Sequence, residues 1–318
     1  MALLLTLCRF LARPWTQRVL FAITAAIVSV WLVRLLGNLD LDSSALGWHW
    51  LALAAFLNAI YIVGYASCWH LLTRSTGVQL PFRHNGPIWL FSILGKYVPG
   101  RIVGIATRVS LLEKRRAGSA VTVAATCVVE SLIATTAGLL ACTLLSVFAA
   151  TRLQDAIGLP AQGALALGIL AVVAIPILYR VFRWELRRRQ MISTIADHIP
   201  VHRWATLLAA YALLWMLWGT ILVAVVAAID PAVAFDSFGS LMWIYQLAGI
   251  TGIVALFTPS GLGAREAVLL AGLLLLLPGP IAALVTVVAR IVNVLVEATG
   301  ISVGYLLLDR SGEAARNA

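Results

Sequence analysis

The chain has 318 residues, 62% hydrophobic and 11% charged, with a mean hydropathy of +0.98. Soluble domains carry about 45–50% apolar and about 25% charged residues, so a water-soluble fold is excluded. The net charge of +10 sits in short loops between apolar stretches, a positive-inside pattern that argues against a nucleic-acid partner.

Residues 1–8 have no basic residue ahead of the apolar run and no small residue before Cys8. Neither a cleaved signal nor a lipoprotein site is expected there. Apolar segments of spanning length, about 20 residues, follow near 19–37, 46–72, 119–145, 162–181, 204–229 and 280–308. Two further apolar stretches, near 87–112 and 238–277, are broken by Pro and Gly with charge alongside. Residues 94–101 read Leu-Gly-Lys-Tyr-Val-Pro-Gly-Arg, and residues 258–266 read Thr-Pro-Ser-Gly-Leu-Gly-Ala-Arg-Glu. Such breaks free backbone groups that lipid cannot satisfy, so they belong inside protein or along a cavity. Paired Gly/Pro-interrupted segments are the sequence mark of a transporter's binding site. A single membrane domain over 1–318 is expected.

Loop charge fixes how the broken segments run. Basic residues fall at Arg9, Arg13 and Arg18, at Arg74 and Arg83, at Lys114, Arg115 and Arg116, in the 180–203 loop, and at Arg310 and Arg316. The other loops hold Asp40, Asp42, Asp155, Asp230 and Asp236 with Arg152 as their one basic companion. Were 87–112 to cross fully, every later loop would invert and the Arg-rich 180–203 loop would face outside, against the K/R rule. The expected fold is therefore all-α and polytopic, with six spanning helices and two re-entrant hairpins. Both termini are expected to be cytoplasmic. The 180–203 loop, amphipathic and rich in Arg, is expected to lie against anionic lipid. Glu130 and Glu297 each follow one hairpin in the next full helix, an arrangement like the inverted repeats of secondary transporters. Pro99 precedes Arg101 by two residues and Pro259 precedes Arg265 by six, so the spacing leaves internal duplication open.

Ionised residues in apolar segments are costly and point to function. The cations are Arg34, Lys96, Arg101, Arg108, Arg265 and Arg290; the acids are Glu130, Glu266 and Glu297. Arg34 lies near a helix end and snorkels to the surface. The remaining five cations exceed three acids by two, a balance that an anionic ligand group would neutralise. Glu130 lies about eleven residues into its helix, roughly 17 Å deep, on one face with Ser119, Thr122 and Thr126. Arg290, Asn293 and Glu297 form a second polar stripe. The competing reading is that pairs such as Arg290–Glu297 or Arg101–Glu130 only pin helices together. Gly261 and Gly263 permit tight backbone without having to touch a ligand.

Other residue types carry less chemistry. Cys8, Cys68, Cys127 and Cys142 form no metal spacing and read as packing residues. His49, His70, His84, His198 and His202 make no zinc-type pair. No nucleotide loop or Ser-His-Asp set stands out, so no metal or cofactor is expected. Trp31, Trp48, Trp50, Trp69, Trp89, Trp204 and Trp243 read as interfacial belt anchors rather than stacking platforms.

Gly95-Lys96-Tyr97-Val98-Pro99-Gly100, then Arg108, then Glu130, resembles the first motif of the lysylphosphatidylglycerol synthase transmembrane-region family. Pro259-Ser260-Gly261-Leu262-Gly263-Ala264-Arg265-Glu266 resembles its second, Pro-x-Gly-x-Gly-x-Arg-Glu. The resemblance covers essentially the whole chain. It implies handling of lipids with polar or charged heads, whether phospholipid, polyprenyl-phosphate-linked or hopanoid-type. No soluble aminoacyl-transferase or glycosyltransferase domain is visible in the sequence, so synthesis is not carried over.

The resulting expectation is a lipid translocase. Lys96, Arg101 and Arg265 hold an anionic head group, Glu130 and Glu266 orient those cations or carry protons, and membrane lipids are the partners. The alternative is an intramembrane enzyme using Glu130 or Glu266 as general base, or an accessory subunit of a lipid synthase or glycosyltransferase.

Overall fold

The computed structural model describes residues 46–97, 102–157, 200–255, 259–261 and 263–314. The expected spans near 19–37 and 162–181, most of the 180–203 loop, and Pro99, Gly100 and Arg101 lie outside the described residues. Within them the chain forms nine α-helices and no strand. Four are long and apolar enough to cross a membrane: α1 (Trp48–Ser75), α4 (Ala120–Ile157), α5 (Val201–Ala227) and α9 (Gly279–Ala314). They coincide with the expected spans at 46–72, 119–145, 204–229 and 280–308. α4 runs further than expected, placing Asp155 in helix rather than loop. No Gly or Pro interrupts residues 139–157 to stop it.

The remaining helices are short. α2 (Phe82–Ser92) leads through a 3-10 turn (Ile93–Tyr97) toward α3 (Ile102–Lys114). α6 (Pro231–Asp236) precedes α7 (Phe238–Val254), a second 3-10 turn (Pro259–Gly261) and α8 (Ala264–Leu273). At 1.5 Å per residue α2 and α3 reach about 17 and 20 Å, and α7 and α8 about 26 and 15 Å. None spans the ~30 Å hydrocarbon core alone. Asp230 starts α6 by accepting the Val233 N–H at 3.1 Å, with Pro231 at the first helical position.

Each pair of short helices folds back on itself. In the first, a Cβ at Gly95 would lie 2.0 Å from the Gly104 nitrogen, while Arg108 reaches back to Ser92. In the second, a Cβ at Gly261 would lie 2.7 Å from Gly252 Cα, and one at Gly272 would meet Ile244. Both pairs are therefore antiparallel hairpins whose backbones touch near the tip, an approach only glycine allows. Gly261 also has φ +72°, a conformation costly for residues with a Cβ. Gly95→Val should therefore prevent the first hairpin from closing. The expected result is loss of monodisperse protein on size exclusion in detergent, whereas Gly300→Ala, with only ordinary contacts nearby, elutes as the parent does.

α1 and α5 pack as an antiparallel pair. The Gly47 N–H donates to the Ala228 carbonyl at 2.8 Å, and at the other end Arg203 Nη1 donates to Ser75 Oγ at 3.2 Å. Hairpin α2–α3 begins from the end that carries Arg74 and Arg203; hairpin α7–α8 begins from the end that carries Asp230. The two hairpins thus enter the bundle from opposite ends, and their 3-10 tips touch. Without water to drive helix association inside a membrane, close van der Waals packing at small residues does that work. Gly138 seats Trp215 and Gly249 seats Trp218 in this way; a Cβ would lie 2.5 and 2.3 Å from those rings.

Candidate functional site

Where the hairpin tips meet, a cavity of about 330 Å³ opens among α1, α2, α3, α4, α5, α7, α8 and α9. Its wall is aromatic on the side of α1, α2 and α5, from Tyr61, Tyr65, Trp89, Trp215 and Trp218. Ser131 and Thr135 of α4 make part of its floor. Lys96, Arg108, Glu130, Arg265, Asn293 and Glu297 all border it. Most of these ionisable groups are buried, with Glu130 6%, Glu297 6% and Arg265 8% exposed.

The three carboxylates are each matched to a cation. Glu130 on α4 binds Arg108 on α3 through Oε2, while its Oε1 accepts from Trp89 Nε1 at 2.9 Å and the Tyr211 hydroxyl at 3.4 Å. Glu297 on α9 binds Lys96 and accepts the Tyr97 hydroxyl at 2.6 Å, which ties the first tip to the last span. Glu266 accepts the Gly263 N–H at 2.8 Å at the start of α8 and pairs with Arg290 Nη1 at 3.3 Å. Glu266 therefore holds a helix start and a neighbouring span; it does not line the cavity.

Arg265 differs. Its guanidinium is 5.0 Å from the Trp218 ring centroid and 5.2 Å from that of Tyr245, and its Nη2 donates to the Tyr245 hydroxyl at 2.9 Å. Among the described residues no carboxylate lies within ion-pair distance of it. Because arginine stays protonated, a full positive charge faces the cavity, and among the described residues its direct partners are aromatic rings and a hydroxyl.

Several expectations change at this point. Arg290 pairs with Glu266 rather than Glu297, because Glu297 is taken by Lys96 and Tyr97 from the first tip. Glu130 is held by Arg108, seven residues beyond Arg101. The Ser119, Thr122 and Thr126 stripe does not border the cavity with Glu130. Ser119 and Thr122 bond to each other, and Thr126 bonds to Thr76 and its own helix carbonyl. Trp69 and Trp89 are not belt anchors: Arg108 lies 4.5 and 5.7 Å from their ring centroids, and both rings are buried. Pro259 and Gly261 shape the second tip and Gly263, at φ +87°, starts α8.

Sequence reasoning passed over Ser92, Asn58, Tyr61, Tyr65, Tyr211, Trp215, Trp218 and Tyr245. Asn58 Nδ2 donates to Asn293 Oδ1 at 3.1 Å and so joins α1 to α9 at the cavity edge. The signal for this group was available: aromatic residues and a lone Asn in the middle of apolar spans, far from any interface.

The fold and the cavity define a multi-pass helical membrane protein whose intramembrane charges converge between two opposed hairpin tips. The chain belongs to the lysylphosphatidylglycerol synthase TM region family, which matches residues 18–299 and so takes in both hairpins and every residue of the cavity. That family comprises membrane domains of lipid-related proteins. No curated protein matches the chain closely enough to stand as a relative.

Proposed function

We propose that the protein moves a lipid with an anionic head group between leaflets, the head passing through the cavity while the tails stay in the bilayer. The observation that carries this reading is Arg265. A buried, permanently charged group with no carboxylate in ion-pair contact among the described residues is costly, and a phosphate oxygen pair would match its planar fork of donors. A volume of about 330 Å³ suits a head group rather than a whole lipid. Arg265 is the anchor of that head; Lys96, tied to Glu297, is the cation next to it. The enzyme reading has less support, because a general base must stand within hydrogen-bond reach of the substrate proton. Glu130 already accepts from three side chains, and Glu266 is engaged at a helix start. An accessory role beside a lipid synthase or glycosyltransferase would use the same cavity without movement.

In this reading α2–α3 and α7–α8 are re-entrant, six helices span, both termini are cytoplasmic and the membrane is a bacterial inner one. The opposed hairpins and their short arms support it. Single cysteines at positions 83 and 115, in a chain without native cysteines, should both label only from the cytoplasmic side; one at 236 should label from outside. Opposite-side labelling of 83 and 115 would mean that the first hairpin crosses.

The direct test is reconstitution in liposomes with a panel of fluorescent lipids and analysis of the products. Movement of unaltered phosphatidylglycerol, faster than in protein-free liposomes, is the expected result. An altered lipid favours the enzyme, and neither movement nor alteration favours the accessory role.

A further inference from the structure

The two arginines facing the cavity occupy the same setting, repeated with inversion. Arg108 sits on the second arm of its hairpin, between Trp69 of the preceding span and Trp89 of the first arm. Arg265 sits on the second arm of the other hairpin, between Trp218 of the preceding span and Tyr245 of the first arm. Each donates to a first-arm hydroxyl: Arg108 Nε to Ser92 Oγ at 2.8 Å, and Arg265 Nη2 to Tyr245 at 2.9 Å. The preceding spans, α1 and α5, run antiparallel. One feature breaks the equivalence. Arg108 has Glu130, and Arg265 has no carboxylate among the described residues.

We propose that Arg108 is a second phosphate station, the inverted counterpart of Arg265, which Glu130 covers in this state. A head group phosphate reaches it by displacing that carboxylate. The proposal rests on Arg265 being the head-group anchor. Three observations carry it further than symmetry alone. Arg108 and Ser92 border the same cavity as Arg265, so the head can pass from one to the other without leaving the protein. A phosphodiester oxygen can take the place of Glu130 Oε2 on Arg108 Nη1 with the same charge. Glu130 is not left bare by the exchange, because Trp89 Nε1 and the Tyr211 hydroxyl remain on its Oε1. A carrier that serves both leaflets needs a hold for each face, and two inverted hairpins supply one apiece. Covering one of them internally keeps the chain from binding two heads at once.

The test counts short-chain phosphatidylglycerol (dioctanoyl) bound per chain by native mass spectrometry of the full protein in detergent, with equilibrium dialysis for affinity. Wild type should hold one equivalent, and Arg265→Gln should lose it with at least a tenfold fall in affinity. Glu130→Gln added to Arg265→Gln uncovers Arg108 and should restore one equivalent, within about tenfold of wild type. Adding Arg108→Gln should abolish it again. If the Glu130→Gln chain does not accumulate, Glu130→Asp, which keeps the charge but shortens the reach, takes its place with the same expected rescue. A double variant that binds no better than Arg265→Gln alone overturns the second station while leaving the anchor intact. Wild-type binding by Arg265→Gln alone overturns the anchor reading, and this proposal with it.

Discussion

Arg265→Gln is expected to stop lipid translocation while leaving the fold as stable as wild type. The two halves of this result have different causes. Truncating one partner of a buried charge pair typically costs about 2–5 kcal/mol of binding, or roughly 30-fold to several thousand-fold at 1.4 kcal/mol per decade. Translocation of phosphatidylglycerol in liposomes should fall by at least the lower figure. Stability moves little because two contributions oppose each other. The guanidinium over Trp218 and Tyr245 gains about 2 kcal/mol from the ring faces when desolvated. Against that, a buried cation with no ion-pair partner among the described residues costs several kcal/mol, a cost that Gln removes while keeping an N–H for the Tyr245 hydroxyl. Arg265→Lys keeps the charge, loses the planar fork, and should retain a part of the transport. A melting temperature in detergent that drops sharply for Gln and recovers for Lys would make Arg265 a structural pin and remove the ground for the anchor.

Part of the cavity's lining was legible in the sequence. Pro and Gly inside apolar runs mark places where helix cannot continue, and charge there must face protein or a cavity. That logic marked the helix breaks near 93–101 and 255–263, and Lys96, Arg108, Glu130, Arg265 and Glu297 border one cavity. Which cation meets which acid was not legible. Glu297 and Arg290 share a helix face by spacing, but pairing is decided across helices, where the first tip brings Lys96 and Tyr97 onto Glu297. The aromatic setting was hidden for a related reason. Tryptophan favours membrane interfaces, so Trp69 and Trp89 read as anchors. The second arm of the hairpin then carries Arg108 back against both rings, a long-range contact without a local sequence period. The equivalence of the two arginines was likewise invisible, because the tip spacings differ while the three-dimensional settings agree.

The second large effect is expected at the junction between the first tip and α9. Glu297 holds both Lys96 and the Tyr97 hydroxyl, and its side chain is 8% exposed while that of Lys96 is 29% exposed. Breaking a buried pair from one side typically costs about 3–5 kcal/mol, because the remaining charge is left uncompensated. Lys96→Ala leaves the carboxylate on the more deeply buried side, with one hydroxyl donor still in place. Its partly exposed partner and that surviving hydrogen bond put the loss at the lower end, about 3 kcal/mol. At roughly 2 °C per kcal/mol for a chain of this size, the melting temperature in detergent should fall by about 6 °C. Removing both charges is different in kind, since replacing a whole buried pair is often close to neutral. Lys96→Ala combined with Glu297→Gln, which can still accept from Tyr97, should therefore melt within about 2 °C of wild type. That non-additivity is the signature of a pinning pair. Transport provides the second readout. If Lys96 serves only as a pin, the double variant moves lipid as wild type does; if it also steadies the head group beside Arg265, transport stays low while stability returns. A Lys96→Ala chain that melts with wild type would show that the pair contributes nothing to the fold, leaving Lys96 as a cation available to the ligand.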